Sequence, residues 1–200
     1  MSKFYLGFTI AISFILSSCI SFSTLQTPKV MEENESTFGV GAIAVPIDGE
    51  ILCCGTEIYA RFPFFKKADF GLKAFGLPGF GTITGDIKYQ VLDDPFYLSF
   101  DLALTYTSVK GGGSGSGVIP AVFIGTDRIF GGAKMIYSSI EYEGLFNSSS
   151  QKVSVDFPGV FLGGSIGDKW RVLPVVNLYF PTGSEDSFFI YNLGLQYTFK

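Results

Sequence analysis

Apolar residues recur at every second position through most of this chain, and glycine or proline interrupts every longer run, so the period is that of strands and not of helices. The clearest case is 96–106. Phe96, Leu98, Phe100, Leu102, Leu104 and Tyr106 share one face, while Tyr97, Ser99, Asp101, Ala103 and Thr105 share the other. The C-terminal stretch repeats this, with Phe189, Tyr191, Leu193, Leu195, Tyr197 and Phe199 opposite Ile190, Asn192, Gly194, Gln196 and Thr198. The spacing predicts strands over 37–46, 55–63, 69–77, 82–91, 96–107, 118–125, 129–139, 153–164, 170–180 and 187–199. Most have the roughly 9 to 11 residues that a tilted strand needs to cross hydrocarbon. The predicted fold is all-β, an antiparallel up-and-down transmembrane β-barrel of about ten strands.

Alternation alone does not say which face is outside. With the apolar faces inward, the same pattern describes a soluble lipocalin-like barrel on a lipid tether. Connection lengths favour the membrane arrangement. If the barrel starts on the periplasmic side, the links on that side fall near 64–68, 92–95, 126–128 and 167–169 and are tight. The opposite links include 108–117, with its run Gly111-Gly112-Gly113-Ser114-Gly115-Ser116-Gly117, and 139–152, with Asn147-Ser148-Ser149-Ser150; these read as long, flexible loops. Short periplasmic turns and longer external loops are the asymmetry of outer-membrane barrels.

The N-terminus fixes the expected location. Lys3, the apolar stretch Phe4–Leu16 and the small pair Ser17-Ser18 follow the order of a secretory signal, and the apolar stretch is short of the roughly 20 residues of a membrane-spanning helix. Leu16-Ser17-Ser18-Cys19 has the form of a lipoprotein cleavage site, which makes Cys19 the expected acylated (palmitate-bearing) first residue of the mature protein. Ile20, where an inner-membrane retention signal of enteric bacteria carries Asp, favours delivery to the outer membrane. The expected organisation is 1–18 signal peptide, 19–36 lipidated cysteine and tether, and 37–200 barrel.

Asn192-Leu193-Gly194-Leu195-Gln196-Tyr197-Thr198-Phe199 resembles the insertion signal of outer-membrane barrels, with Asn192, Gly194, Tyr197 and Phe199 as its marked positions. The barrel-assembly machinery would pair with such a strand through its backbone. Lys200 departs from the usual aromatic terminus.

Composition narrows the chemistry. The 182 residues that remain after removal of 1–18 carry 13 basic and 18 acidic side chains, a formal charge of −5, which excludes the basic excess of a nucleic-acid-binding surface. Cys53 and Cys54 are adjacent, too close for an unstrained disulfide, and in a chain with no histidine they make a poor metal site; a pair of small loop residues is the expectation. Outer-membrane aspartyl proteases, lipid A palmitoyltransferases and lipid A deacylases all use histidine, so no catalytic activity and no cofactor or metal is expected. Asp93-Asp94 before Pro95 reads as a solvated turn, and Glu141 and Glu143 as a wet strand end.

With the apolar faces outward, the interior would receive Glu57, Tyr59, Arg61, Asp69, Lys73, Asp86, Lys88, Asp101, Lys134, Asp156 and Arg171. Charges withdrawn from water need partners, so a salt-bridged, largely plugged lumen follows. About ten strands are also too few for the open channel of a general porin.

Ser23-Thr24-Leu25-Gln26-Thr27-Pro28, then Phe38-Gly39-Val40-Gly41, together with Arg61-Phe62-Pro63 and Asp69-Phe70-Gly71-Leu72-Lys73, resemble uncharacterised bacterial outer-membrane β-barrel lipoproteins. The resemblance implies fold and location with no activity attached. The expected role is a surface, adhesive or envelope-structural lipoprotein; a narrow channel or carrier for a small solute is the alternative. Expected partners are outer-membrane lipid and the lipoprotein-processing and barrel-assembly machinery.

Overall fold

A computed structural model describes residues 24–47, 50–77, 79–110, 113–143, 150–183 and 187–200. The expected signal peptide and Cys19 lie outside the described residues. The strands are β1 (Ser36–Ile47), β2 (Glu50–Phe65), β3 (Ala68–Leu77), β4 (Phe80–Leu92), β5 (Tyr97–Val109), β6 (Gly113–Gly125), β7 (Ile129–Glu143), β8 (Ser150–Gly164), the two-residue β9 (Ile166–Gly167), β10 (Trp170–Tyr179) and β11 (Phe188–Phe199). Neighbours in sequence pair antiparallel, and β1 pairs with β11 from Ser36↔Phe199 to Ala44↔Tyr191, which closes the sheet. β8 and β9 are successive pieces of one strand, both paired with β10, so the cylinder has ten positions. The expected fold is borne out.

The face assignment is unambiguous. Phe100, Leu102, Leu104 and Tyr106 are exposed, Leu104 at 62%, while Ser99, Asp101, Ala103, Thr105 and Thr107 are buried inside. On β11 the exposed residues are Phe189, Tyr191, Leu193, Leu195 and Phe199, with Ile190, Asn192, Gly194 and Gln196 within. An apolar exterior on this scale has no counterpart on soluble monomers and matches lipid. The inward-facing alternative, a lipocalin-like barrel, is overturned by it. Aromatic side chains gather at the end that carries both Ser36 and Phe199, called here the terminal rim. Phe62, Phe64, Phe65, Tyr89, Phe96, Trp170 and Phe199 are exposed there, and the Trp170 and Tyr197 rings lie 4.8 Å apart. Such girdles mark a membrane interface.

At the opposite, hairpin rim the structure departs from expectation. The glycine–serine run is not a flexible loop, since Gly113–Gly117 belong to β6 and pair with β5 and β7. The strands pack too closely there for side chains: a Cβ on Gly117 would stand 2.8 Å from the Tyr137 carbonyl oxygen. β7 and β8 likewise stay paired out to Glu143↔Ser150, where Glu141 approaches Lys152 at 4.0 Å in solvent. The β7–β8 ladder outruns β10, whose pairing with β8 stops at Tyr179↔Gly159, so this rim is uneven. Cys53 and Cys54 are not loop residues either. They lie in β2, Cys53 opposite Ala44, where the β1–β2 register shifts.

One seam is weakened. The β6–β7 ladder runs to Val118↔Tyr137 and resumes at Ala121↔Lys134, skipping Pro120, which has no N–H to give. On the lipid side a groove lined by Phe100, Leu102, Pro120, Val122, Met135 and Pro158 lies over this interruption.

The outward face predicts a depth-dependent cost for charge. Leu102→Arg should lower the free energy of folding into phosphatidylcholine vesicles by about 2–4 kcal/mol, read from denaturant titration. A loss below about 0.5 kcal/mol, the ordinary effect of a water-exposed substitution, would place this face outside lipid.

Candidate functional site

The inner wall of a ten-strand cylinder is two-sided in chemistry. On β2–β5 the inward side chains include Glu57, Arg61, Asp69, Lys73, Asp86, Lys88 and Asp101, all buried. On β6–β10 they include Ala121, Phe123, Phe130, Phe161, Leu173 and Val175, which form an apolar cluster. Residues 24–31 run between the two.

This segment was expected to be a polar tether, and over its described length it is a filling. From Ser36 the chain turns back through Glu32–Glu35 at the terminal rim, where the Glu35 amide donates to the Glu32 carbonyl at 2.8 Å and Lys200 pairs with Glu35 at 3.1 Å. It then enters the lumen, and Thr24, Leu25, Gln26, Thr27, Val30 and Met31 are all buried. Its backbone groups are met by side chains of the wall. The Met31 amide donates to Asp69 Oδ2 at 3.0 Å and the Val30 amide to Gln90 Oε1 at 2.8 Å. Lys88 Nζ donates to the carbonyls of Thr27 (2.8 Å) and Lys29 (3.1 Å), and Ser99 Oγ to that of Pro28.

Deeper in, side chains take over. Gln26 lies between opposite charges, its Nε2 donating to Asp101 Oδ2 at 2.9 Å while its Oε1 accepts from Arg61. Lys134 Nζ donates to Thr24 Oγ1, Thr24 Oγ1 to Asn177 Oδ1, and Asn177 Nδ2 to Asn192 Oδ1, at 2.7, 2.7 and 2.6 Å. Leu25, fully buried, faces the other way into the apolar cluster.

Room for Leu25 comes from glycine. A Cβ on Gly41 of β1 would stand 2.2 Å from Leu25 Cδ1, and one on Gly194 of β11 would stand 2.9 Å from Leu25 Cδ2. Gly39 is covered in the same way by the Tyr59 ring, whose hydroxyl donates to Gln196 Oε1 at 3.3 Å. The plug thus sits against the β1–β11 seam from inside.

Charges pair along the wall of β2, β3 and β4. Arg61 binds Asp69 through Nε (3.1 Å) and Nη2, and Asp86 at 2.7 Å; Lys88 reaches Asp69 at 3.4 Å. A Cβ at Gly71, opposite both Arg61 and Asp86, would collide with them. Among the described residues the buried charged side chains are Glu57, Asp69, Asp86 and Asp101 against Arg61, Lys73, Lys88 and Lys134, a neutral set.

Two of the residues read as interior from the sequence are not part of this set. Asp156 is exposed, because Phe157 takes the inward position on β8. Arg171 is half-buried at the terminal rim, where its Nε donates to the Asp168 carbonyl at 3.0 Å. Of the marked C-terminal positions, Asn192 and Gly194 face the lumen, Tyr197 is half-buried and Phe199 is exposed. Asp93 is in a solvated turn, 2.8 Å from Lys67; that hydrogen bond, with one from Gln90, holds its carboxyl below the usual range.

The sequence reading missed the plug itself. Its signal was the glycine at inward positions 39, 41 and 194 of adjoining strands, a void that some other part of the chain has to fill.

No protein-family model and no curated protein matches the chain. Similar solved structures include Ail, the attachment invasion locus protein of Yersinia pestis, in complex with the heparin analogue sucrose octasulfate (14% identity, 84% of this chain and 100% of that one, TM-score 0.35). The KdgM porin (12%, 82% and 99%, 0.42) and the outer membrane protease OmpT of Escherichia coli (12%, 88% and 100%, 0.46) are others. At such identities and scores the likeness assigns no role, and function rests on this chain's own residues.

Two outcomes follow. Arg61→Met strips Asp69 and Asp86 of their shared cation and should cost about 3–5 kcal/mol, seen as a lower unfolding midpoint in detergent gels; an unchanged midpoint would mean the pairs are not buried. Gly41→Val should expel Leu25 and make folded protein cleavable by trypsin after Lys29, a bond that the parent protects.

Proposed function

We propose that this chain is a self-plugged outer-membrane barrel lipoprotein, acylated at Cys19, with a surface, adhesive or envelope-structural role and no catalytic activity. The observation that carries the reading is the N-terminal segment in the lumen. An open solute path needs continuous water, and here residues 24–31 hydrogen-bond to the wall on one side while Leu25 joins the apolar cluster of Phe123, Phe161 and Leu173 on the other. The buried charges also sum formally to zero, so the lumen carries no net charge to favour one sign of ion. These points weigh against the narrow-channel reading.

The outer membrane is supported by the apolar exterior, the aromatic girdle and the closed antiparallel cylinder, because barrels of this kind span that membrane in bacteria. The terminal rim with its tight turns is then periplasmic, and the hairpin rim, with the β5–β6 and β7–β8 hairpins, is the external contact surface. The chain would be handled by the lipoprotein-processing enzymes and by the barrel-assembly machinery, for which Asn192, Gly194, Tyr197 and Phe199 form the recognition strand. The lack of histidine throughout the chain supports a non-catalytic barrel.

Planar-bilayer recording tests the plug. The full-length protein should be electrically silent, and a variant with residues 24–31 replaced by an equal length of glycine and serine should conduct. Steady conductance by the unaltered protein would overturn the reading in favour of a channel.

A further inference from the structure

The lipid face is not evenly filled. Phe100 and Leu102 on β5 stand exposed, as do Val160 on β8 and Phe180 just after β10. Between these two banks the outward positions hold Pro120, Val122, Ala133 and Pro158, and their compact side chains leave a groove of about 700 Å³. The register places bank beside floor, with Leu102↔Pro120 and Phe100↔Val122 on one side. On the other, the Phe180 amide donates to the Pro158 carbonyl at 2.9 Å. The interruption of the β6–β7 ladder at Pro120 lies in this floor.

We propose that the groove seats one acyl chain of a phospholipid whose headgroup lies at the terminal rim, and holds it in preference to the rest of the barrel's lipid face. Only the leaflet, the periplasmic one, rests on the orientation proposed for the barrel.

Place, size and chemistry argue for it. At one end the groove is lined by Tyr89, three residues from the terminal-rim end of β4, and by Phe100, three from that end of β5. At the other end is Phe180, which follows the last residue of β10 at the hairpin side. Because the strands tilt, a groove that crosses them climbs obliquely from the terminal rim into the hydrocarbon. The exposed Tyr89 ring is at its mouth, an aromatic at the level where headgroups lie. Four strand spacings of about 4.8 Å separate β4 from β8, roughly 19 Å of groove. Half of a hydrocarbon core of about 30 Å is about 15 Å, so one oblique acyl chain spans most of it. The volume is also that of a small-molecule site, for which about 300–1,000 Å³ is usual.

The chemistry selects hydrocarbon. The groove opens on the face that already meets lipid, and a void there would forfeit the dispersion contacts of its lining. A chain in it touches the floor and both banks, whereas a chain on the even wall elsewhere touches one side. Pro120 and Pro158 fix their backbone angles, so the floor keeps its shape without a ligand. The chain also covers the seam where Pro120 gives no N–H to β7, a defect that hydrocarbon has to shield from water. A second copy of the barrel, meeting this face about a two-fold axis through the groove, would set hollow against hollow and fill neither.

Full-length protein folded into vesicles of phosphatidylethanolamine and phosphatidylglycerol, with a trace of phosphatidylethanolamine carrying a mid-chain diazirine, tests this. Irradiation should label peptides that contain Val122 or Ala133 about tenfold more than those that contain Val40 or Ile58, which face lipid on the opposite wall. Ala133→Phe fills the groove and should bring the two walls to equal labelling while the barrel stays folded by heat-modifiable migration. Val122→Phe serves in its place if that variant does not fold. Equal labelling of the two walls in the parent protein would overturn the proposal, whatever lipopolysaccharide does. So would a preference that survives the filled groove, or a β6–β7 face protected from label by a cross-linkable second copy. The labelling pattern is indifferent to whether the lumen conducts, so it stands or falls apart from the plug.

Discussion

Inside hydrocarbon no water is available to a peptide group, and this single constraint orders the rest of the molecule. Every backbone N–H and C=O within the membrane has to find a partner in the sheet, so the sheet closes, and β1 meets β11 over nine residue pairs. Closure sends one side of each strand into lipid and the other into a space too narrow for bulk water. The wall residues there then need partners of their own. Arg61 with Asp69 and Asp86, and Lys88 with Asp69, supply some of them. Others come from the chain's own N-terminal segment, whose Gln26, Thr24 and backbone carbonyls answer Asp101, Lys134 and Lys88.

The same segment solves a packing problem. Glycine at 39, 41 and 194 lets β1 and β11 approach a filling from within, and Leu25 and the Tyr59 ring occupy the space. Leu25 belongs to one apolar cluster with Phe123, Phe130, Phe161 and Leu173, so it ties the closing seam to the far wall. The plug is therefore a part of the core. Barrel and filling stabilise each other.

The strands were legible because β alternation survives intact wherever lipid is on one side and paired charge on the other, as along Phe96–Tyr106. It misled where the interior itself is apolar. Phe157 faces inward among Ile136, Tyr179 and Ile190, and the rule that apolar means outward then turned Asp156 to the wrong side. The hairpins failed for a related reason. Gly113–Gly117 look flexible in isolation, yet β5 and β7 provide a continuous ladder on both flanks and the small residues permit the close approach. The plug was hidden because its residues, Thr24 to Met31, have no periodicity; their hydrogen-bond partners are scattered over β1, β2, β3, β4, β5, β7 and β10, and only the closed fold brings them together.

Amide hydrogen exchange at Val30 and Met31 tests the central claim most directly. These two N–H groups donate to Gln90 Oε1 and Asp69 Oδ2 inside the barrel and to no strand. In folded protein in micelles they should exchange as slowly as the paired amides of β3 and β4. Exchange at the rate of an unstructured peptide would mean that the N-terminal segment lies outside the lumen, and the account would fall with it.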